Sequence, residues 1–191
     1  MLCLIVFLSL LLTPPLTSAS THICVDSFAT QSDLNQLPFH SITSLIQSIF
    51  PLTITASGEI EKNGNDWYLP SLRDMAHGNG TNMWVGVKVT SKADAADFLS
   101  QPDTILNATA VHLVSLVVEA NYDGFQIDME GLRIISKNGF EMFVRACATA
   151  AQAHGISMTT TVYSLKFLEK GPSAYDPALL SRLGEGIFIM G

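Results

Sequence analysis

What most limits the folds open to this chain is an alternation of short apolar runs with longer segments of helical period. Met83 to Val89 is a compact apolar run bounded by polar residues, the form of a parallel strand buried on both faces. Ser91 to Leu99 reads as a helical turn. Thr104 to Ala120 reads as a helix whose Leu106, Ala110, Leu113 and Val117 share one buried face. Tyr122, Asp123 and Gly124 turn the chain into a further strand. Asn138 to His154 is the next helix, with Gly155 suited to end it. Ser157 to Tyr163, rich in Thr and Val, reads as a strand. Asp176 and Pro177 open a helix as cap and first-turn proline, Gly184 closes it, and Gly186 to Met190 begins another apolar strand. Upstream, His22 to Phe28 and Ile42 to Phe50 are strand candidates. Pro51 and the turn Ala56-Ser57-Gly58 are expected to break the second, with Thr53 to Thr55 as a short extended piece. Leu72 to Ala76 reads as a short helix. Strand and helix in alternation is the pattern of a parallel α/β fold.

The segment Asp123-Gly124-Phe125-Gln126-Ile127-Asp128-Met129-Glu130 sets two carboxylates two residues apart at the end of a strand. Side chains alternate along a strand. Gln126, Asp128 and Glu130 therefore share one side, and Phe125, Ile127 and Met129 the other. The apolar side suits packing helices and the acidic side suits a cleft. A Glu beside an Asp has a reason to hold its proton, because like charges disfavour ionisation. A protonated Glu can give that proton to a leaving oxygen.

This segment resembles the Asp-Gly-x-Asp-x-Asp-x-Glu signature of family 18 glycoside hydrolases at Asp123, Gly124, Asp128 and Glu130. It departs at Gln126, where that family usually has Asp. The chitobiase-like and spore-cortex peptidoglycan-hydrolysing branches are more similar in this respect, since they tolerate Asn in the slot. Met129 replaces the usual aromatic, and Lys88-Val89-Thr90-Ser91 lacks the Ser-x-Gly-Gly run that ends the third strand of chitinases. The resemblance implies a (β/α)8 TIM barrel. Such a barrel takes about 250 residues, so this chain of 191 would supply roughly its first six strands. Ile187 to Gly191 resembles the family's sixth strand, which normally continues with Tyr-Asp, and the sequence reads as a fragment on that comparison.

The resemblance also implies a chemistry and a set of roles. Glu130 would be the general acid and later the base. Asp128 would orient the substrate's acetamido group, whose carbonyl oxygen serves as nucleophile in a retaining, substrate-assisted route. Asp123 would shape the turn and stand among the substrate-binding residues with Gln126, Tyr163 and Met190. Gln126 can hydrogen-bond Asp128 but cannot share a proton with it. Tyr163 is either a sugar contact or an aromatic capping the barrel rim, and Trp67 and Tyr68 either stack on sugar or pack locally. The implied partner is an N-acetylglucosamine-containing oligosaccharide or polysaccharide, whether chitin, a chitobiose core or peptidoglycan, and no cofactor is required. The other function class left open is a non-catalytic chitinase-like sugar-binding protein, or an inactive fragment.

Met1 to Leu12 is almost purely apolar, and Pro14, Pro15 and the small residues Thr17 to Ser20 follow. The run is shorter than the ~18 residues needed to span a bilayer. It reads as a secretory signal, residues 1–19, ahead of a catalytic-barrel segment at residues 20–191. No stable membrane anchor is expected, and the destination is outside the cell or a lysosome or vacuole. Asn79-Gly80-Thr81 and Asn107-Ala108-Thr109 are sequons, so Asn79 and Asn107 are candidate glycan acceptors. The net charge of −7 argues against nucleic acid, which needs a basic face. Cys3 leaves with the signal. An oxidising compartment would permit a disulfide between Cys24 and Cys147, but Cys147 falls on the apolar stripe Phe140, Phe143, Cys147 and Ala150, which favours a buried thiol. Neither Cys nor the scattered His residues have metal-ligand spacing, so no metal site is expected.

Overall fold

The structure is a computed structural model that describes residues 6–8, 21–25, 36–63, 69–89, 91–129, 132, 134–163, 174–184 and 186–190. Its strands are β1 (Val6–Leu8), β2 (Thr21–Val25), β3 (Ser44–Ile54), β4 (Ile60–Lys62), β5 (Asn82–Val89), β6 (Gly124–Asp128), β7 (Ser157–Tyr163) and β8 (Gly186–Met190). Its α-helices are α1 (Pro70–Gly78), α2 (Lys92–Leu99), α3 (Asp103–Glu119), α4 (Lys137–His154) and α5 (Pro177–Leu183). All eight strands join one sheet, in the order β1, β2, β3, β5, β6, β7, β8, with β4 beside β3. From β2 to β8 this path is parallel at every step, and its six strands follow chain order. That is an incomplete TIM barrel with about its first six strands present. No helix among the described residues is long and apolar enough to cross a membrane.

The helices form where the sequence signals lie. Ser91 caps α2 by accepting the Asp94 N–H at 3.1 Å, and Asp176 caps α5 by accepting that of Leu179 at 3.1 Å. Gly155 closes α4 with a φ of 66°, a left-handed conformation that suits glycine. On α3, Leu106, Ala110, Leu113 and Val117 are buried, as their spacing requires. On α4, Phe140, Phe143 and Cys147 are buried, and Ala151 rather than Ala150 completes the stripe. The core lies mainly between the helices and the outer face of the sheet, where Leu45, Val85, Phe125 and Ile127 meet Phe98, Leu113 and Phe143. A smaller cluster fills the inner face: Ile46 and Trp84, with Cys24 against them.

Two features differ from the sequence expectation. Pro51 does not break its strand. The ladder to β5 jumps from Gln47 opposite Val85 to Leu52 opposite Val87, so β3 bulges there. Pro51 lies in the interval where no ladder donor is needed, and its carbonyl accepts the Asn63 N–H at 2.8 Å. Residues 56–58 do turn the chain, but into β4, which pairs antiparallel with β3. Val6–Leu8, within the stretch read above as a leader, forms β1 and pairs antiparallel with β2.

Candidate active site

The acidic segment folds as its alternation dictates. Phe125 and Ile127 are fully buried beneath the helices, and Met129 is nearly so, whereas Gln126 and Asp128 are half-buried on the barrel's inner face. Gly124 begins the strand because a side chain has no room there. A Cβ would stand 2.7 Å from the Ser157 carbonyl oxygen and 2.9 Å from Trp84 Nε1. The glycine thus lets the Trp84 ring fill the lower interior, where it lies 5.4 Å from the ring of His22.

Asp128 stands at the C-terminal end of β6, in register with Lys88 of β5 on one side and Thr161 of β7 on the other. Parallel neighbours lie about 4.8 Å apart, so these three form a polar row across the sheet. Lys88 and Asp128 also line a cleft of about 230 Å³ with Val89, Ser91, Lys92, Ala95 and Met129. Gln126 reaches diagonally along this face, and its amide donates to Thr161 Oγ1 at 2.6 Å. Neither Lys88 nor Thr161 is marked by the sequence. One sits at the end of an apolar run and the other in a Thr-rich strand, and only the register reveals that they flank the acid.

The field of Asp128 extends across the interior to Cys24. Burial first and the Asp128 carboxylate second push the Cys24 thiol up to about 11. Cys24 is therefore protonated at neutral pH and forms part of the wall, since the thiolate is the nucleophilic form. Burial alone raises the Cys147 thiol far above its ordinary range. Both thiols are free and stand on opposite faces of the sheet, so the disulfide left open by the sequence is not formed.

Asp123 lies at the other end of β6, about 16 Å from Asp128 at ~3.3 Å per residue. Its Oδ2 accepts the Met83 N–H at 2.7 Å and meets His77 Nε2 at 2.7 Å. Its backbone donates to Met83 O and accepts from Ser157 N–H, both at 2.8 Å. Asp123 thus pins the starts of β5 and β7 and the end of α1. These contacts hold Asp123 at the end of the sheet opposite Asp128.

Tyr163 and Met190 close β7 and β8 in register with each other, at the same end as Asp128. Their side chains, like Glu130, Trp67 and Tyr68, lie outside the described residues. Asn79 and Asn107 are exposed, and their sequon threonines are built into the fold: Thr81 Oγ1 donates to Ile42 O at 3.3 Å and Thr109 Oγ1 to Gly58 O at 2.8 Å.

No family model and no curated protein sequence matches the chain. Solved structures do. The chain is similar to a chitinase from Bacteroides thetaiotaomicron, with a TM-score of 0.73 and 18% identity over 88% of this chain and 51% of that one. It is similar to the chitinase from Chromobacterium violaceum ATCC 12472, with a TM-score of 0.70 and 18% identity over 87% and 54%. It is also similar to the spore cortex-lytic enzyme SleL of Bacillus cereus, with a TM-score of 0.71 and 13% identity over 88% and 40%. The chain spans about half the length of these structures. At such identities the likeness is one of fold, and the chain has the fold of the chitinase and spore cortex-lytic barrels that its acidic segment resembles.

Proposed function

We propose that this chain is the acid-bearing part of a glycoside hydrolase that cleaves β-1,4-linked N-acetylglucosamine glycans with retention. The observation that carries this reading is Asp128 on the inner face of the fourth parallel strand, at its C-terminal end and lining a cleft. Barrel enzymes keep their catalytic groups at that end. In the first step the acetamido carbonyl oxygen of the substrate attacks the anomeric carbon. The glycosidic C–O bond breaks, and Glu130 gives its proton to the departing oxygen. Asp128 accepts the acetamido N–H and offsets the positive charge of the oxazolinium ring. In the second step water attacks the anomeric carbon and gives a proton to the Glu130 carboxylate, which opens the ring and restores the acid. With glutamine at 126 turned toward Thr161, the counter-charge in register with Asp128 is the Lys88 ammonium.

The route needs the acetamido group, and that requirement gives the test. The whole protein is expected to release chromophore from a chromogenic N,N′-diacetylchitobioside and not from the matching cellobioside, which has hydroxyls in place of acetamides. Equal hydrolysis of both would rule out substrate assistance. Binding of chitooligosaccharide without turnover would favour the sugar-binding alternative.

We also propose a secretory route, supported by the apolar N-terminus and the exposed Asn79 and Asn107. Expression in eukaryotic cells is expected to give protein in the medium whose mass falls on treatment with an N-glycan-releasing glycosidase. Unmodified protein retained in the cytosol would contradict it.

A further inference from the structure

The ladder that fixes β6 ends at Asp128, which is the last residue of the strand paired to β5 and β7. Beyond it, Met129 and Leu132 are held by other means. Met129 and Leu132 are buried, with 2% and 6% of their surfaces exposed. Backbone groups in such surroundings require partners. A single side chain supplies them: the Tyr175 hydroxyl donates to the Met129 carbonyl oxygen and accepts the Leu132 N–H at 3.3 Å. One hydroxyl therefore ties the backbone immediately before Glu130 to the backbone two residues after it.

Tyr175 is itself held on both sides. Its ring is buried and meets Phe140 of α4 edge-on, with centroids 5.3 Å apart and an interplanar angle of 87°. The next residue, Asp176, is the cap of α5. The hydroxyl is thus presented from a packed helix start and a packed helix face, not from a free loop.

We propose that Tyr175 is a positioning residue for Glu130, holding Met129 before it and Leu132 after it so that the acid meets the glycosidic oxygen. This rests on the reading of Glu130 as general acid. A general acid has to come within hydrogen-bond reach of the oxygen it protonates. Displacement by about 1 Å costs on the order of 10²-fold in rate.

The test is Tyr175→Phe, which keeps the ring and its edge contact on Phe140 and removes the hydroxyl. Tyr122→Phe is the comparator. Its hydroxyl is equally buried and makes the same pair of bonds, donating to Gln47 Oε1 at 2.7 Å and accepting the Leu69 N–H at 3.2 Å, but just ahead of the start of β6. In the whole protein Tyr175→Phe is expected to lower kcat on the chitobioside by about 10–100-fold with little change in KM. Amide hydrogen exchange at Leu132 is expected to accelerate. Tyr122→Phe is expected to lower stability while leaving kcat and Leu132 exchange near wild type. Similar kcat losses in both variants, or none in either, would overturn the proposal by showing Tyr175 to be structural only. Unchanged exchange at Leu132 in Tyr175→Phe would overturn it whatever the activity. Absence of turnover in the wild-type protein, or wild-type turnover by Glu130→Gln, overturns instead the reading of Glu130 on which the proposal rests.

Discussion

Glu130→Gln is expected to lower hydrolysis of a chitobioside by roughly 10²–10⁴-fold, the range for loss of a general acid, with the thermal transition close to that of the wild type. Glutamine keeps the shape and hydrogen-bonding reach of the side chain but has no proton to give. The exchange changes only the end of a side chain and leaves the backbone, and so the ladder that runs to Asp128, as it is. The loss should depend on the leaving group. A phenolate activated by nitro groups departs without protonation, so the variant should recover much of its rate on a dinitrophenyl glycoside. A residue that acted as nucleophile would show no such recovery, because the bond it forms is needed whatever departs. Wild-type rates on an unactivated chitobioside would remove Glu130 from the mechanism. Equal losses on activated and unactivated substrates would remove it from the role of acid.

How much of this was legible in the sequence depended on the range of the physical cause. The faces of β6 follow from a period of two, so Phe125 and Ile127 were readable as core and Gln126 and Asp128 as inner-face residues. Helix ends were readable at Ser91, Asp176 and Gly155 because capping is local. The neighbours of Asp128 were not. Lys88 and Thr161 flank it only because three strands pair in one register, and register belongs to the sheet. Gln126 turns to Thr161 for the same reason, where the sequence suggested Asp128. The Asp123–His77 contact joins residues 46 apart and has no local signature. Tyr175 shows the limit most plainly. It carries no periodicity and no motif, and its hydroxyl meets a backbone 46 residues away. Pro51 shows the opposite error, in which a strong local signal was overridden by a bulge that made its missing N–H harmless.

Gly139→Ala is expected to destabilise the protein, against the local preference of its helix. In an exposed helix interior this exchange stabilises by roughly 0.5–1 kcal/mol. Here a Cβ on residue 139 would lie 1.9 Å from the carbonyl oxygen of Leu99 and 2.8 Å from its carbonyl carbon. Those atoms are backbone at the end of α2, so no side-chain rotation relieves the clash. The two helices have to move apart, and with them the edge-on pair Phe98 and Phe143, whose rings lie 5.1 Å apart at 84°. Forcing extra volume into a packed site costs about 1–3 kcal/mol, and more where backbone has to shift. The steric cost therefore exceeds the propensity gain, and the expected net loss is about 1–3 kcal/mol, or roughly 2–10 °C in Tm for a chain of this size. The urea midpoint should fall with little change in slope, because the unfolded surface is nearly the same. Gly78→Ala is the control. It lies at the end of α1 with nothing within 4 Å of a built Cβ, and is expected to be neutral or mildly stabilising. Should Gly139→Ala raise the midpoint as Gly78→Ala does, α4 would not approach Leu99 as closely as the fold requires. The wall that carries Phe140, and through it Tyr175, would then be looser than the positioning of Glu130 demands.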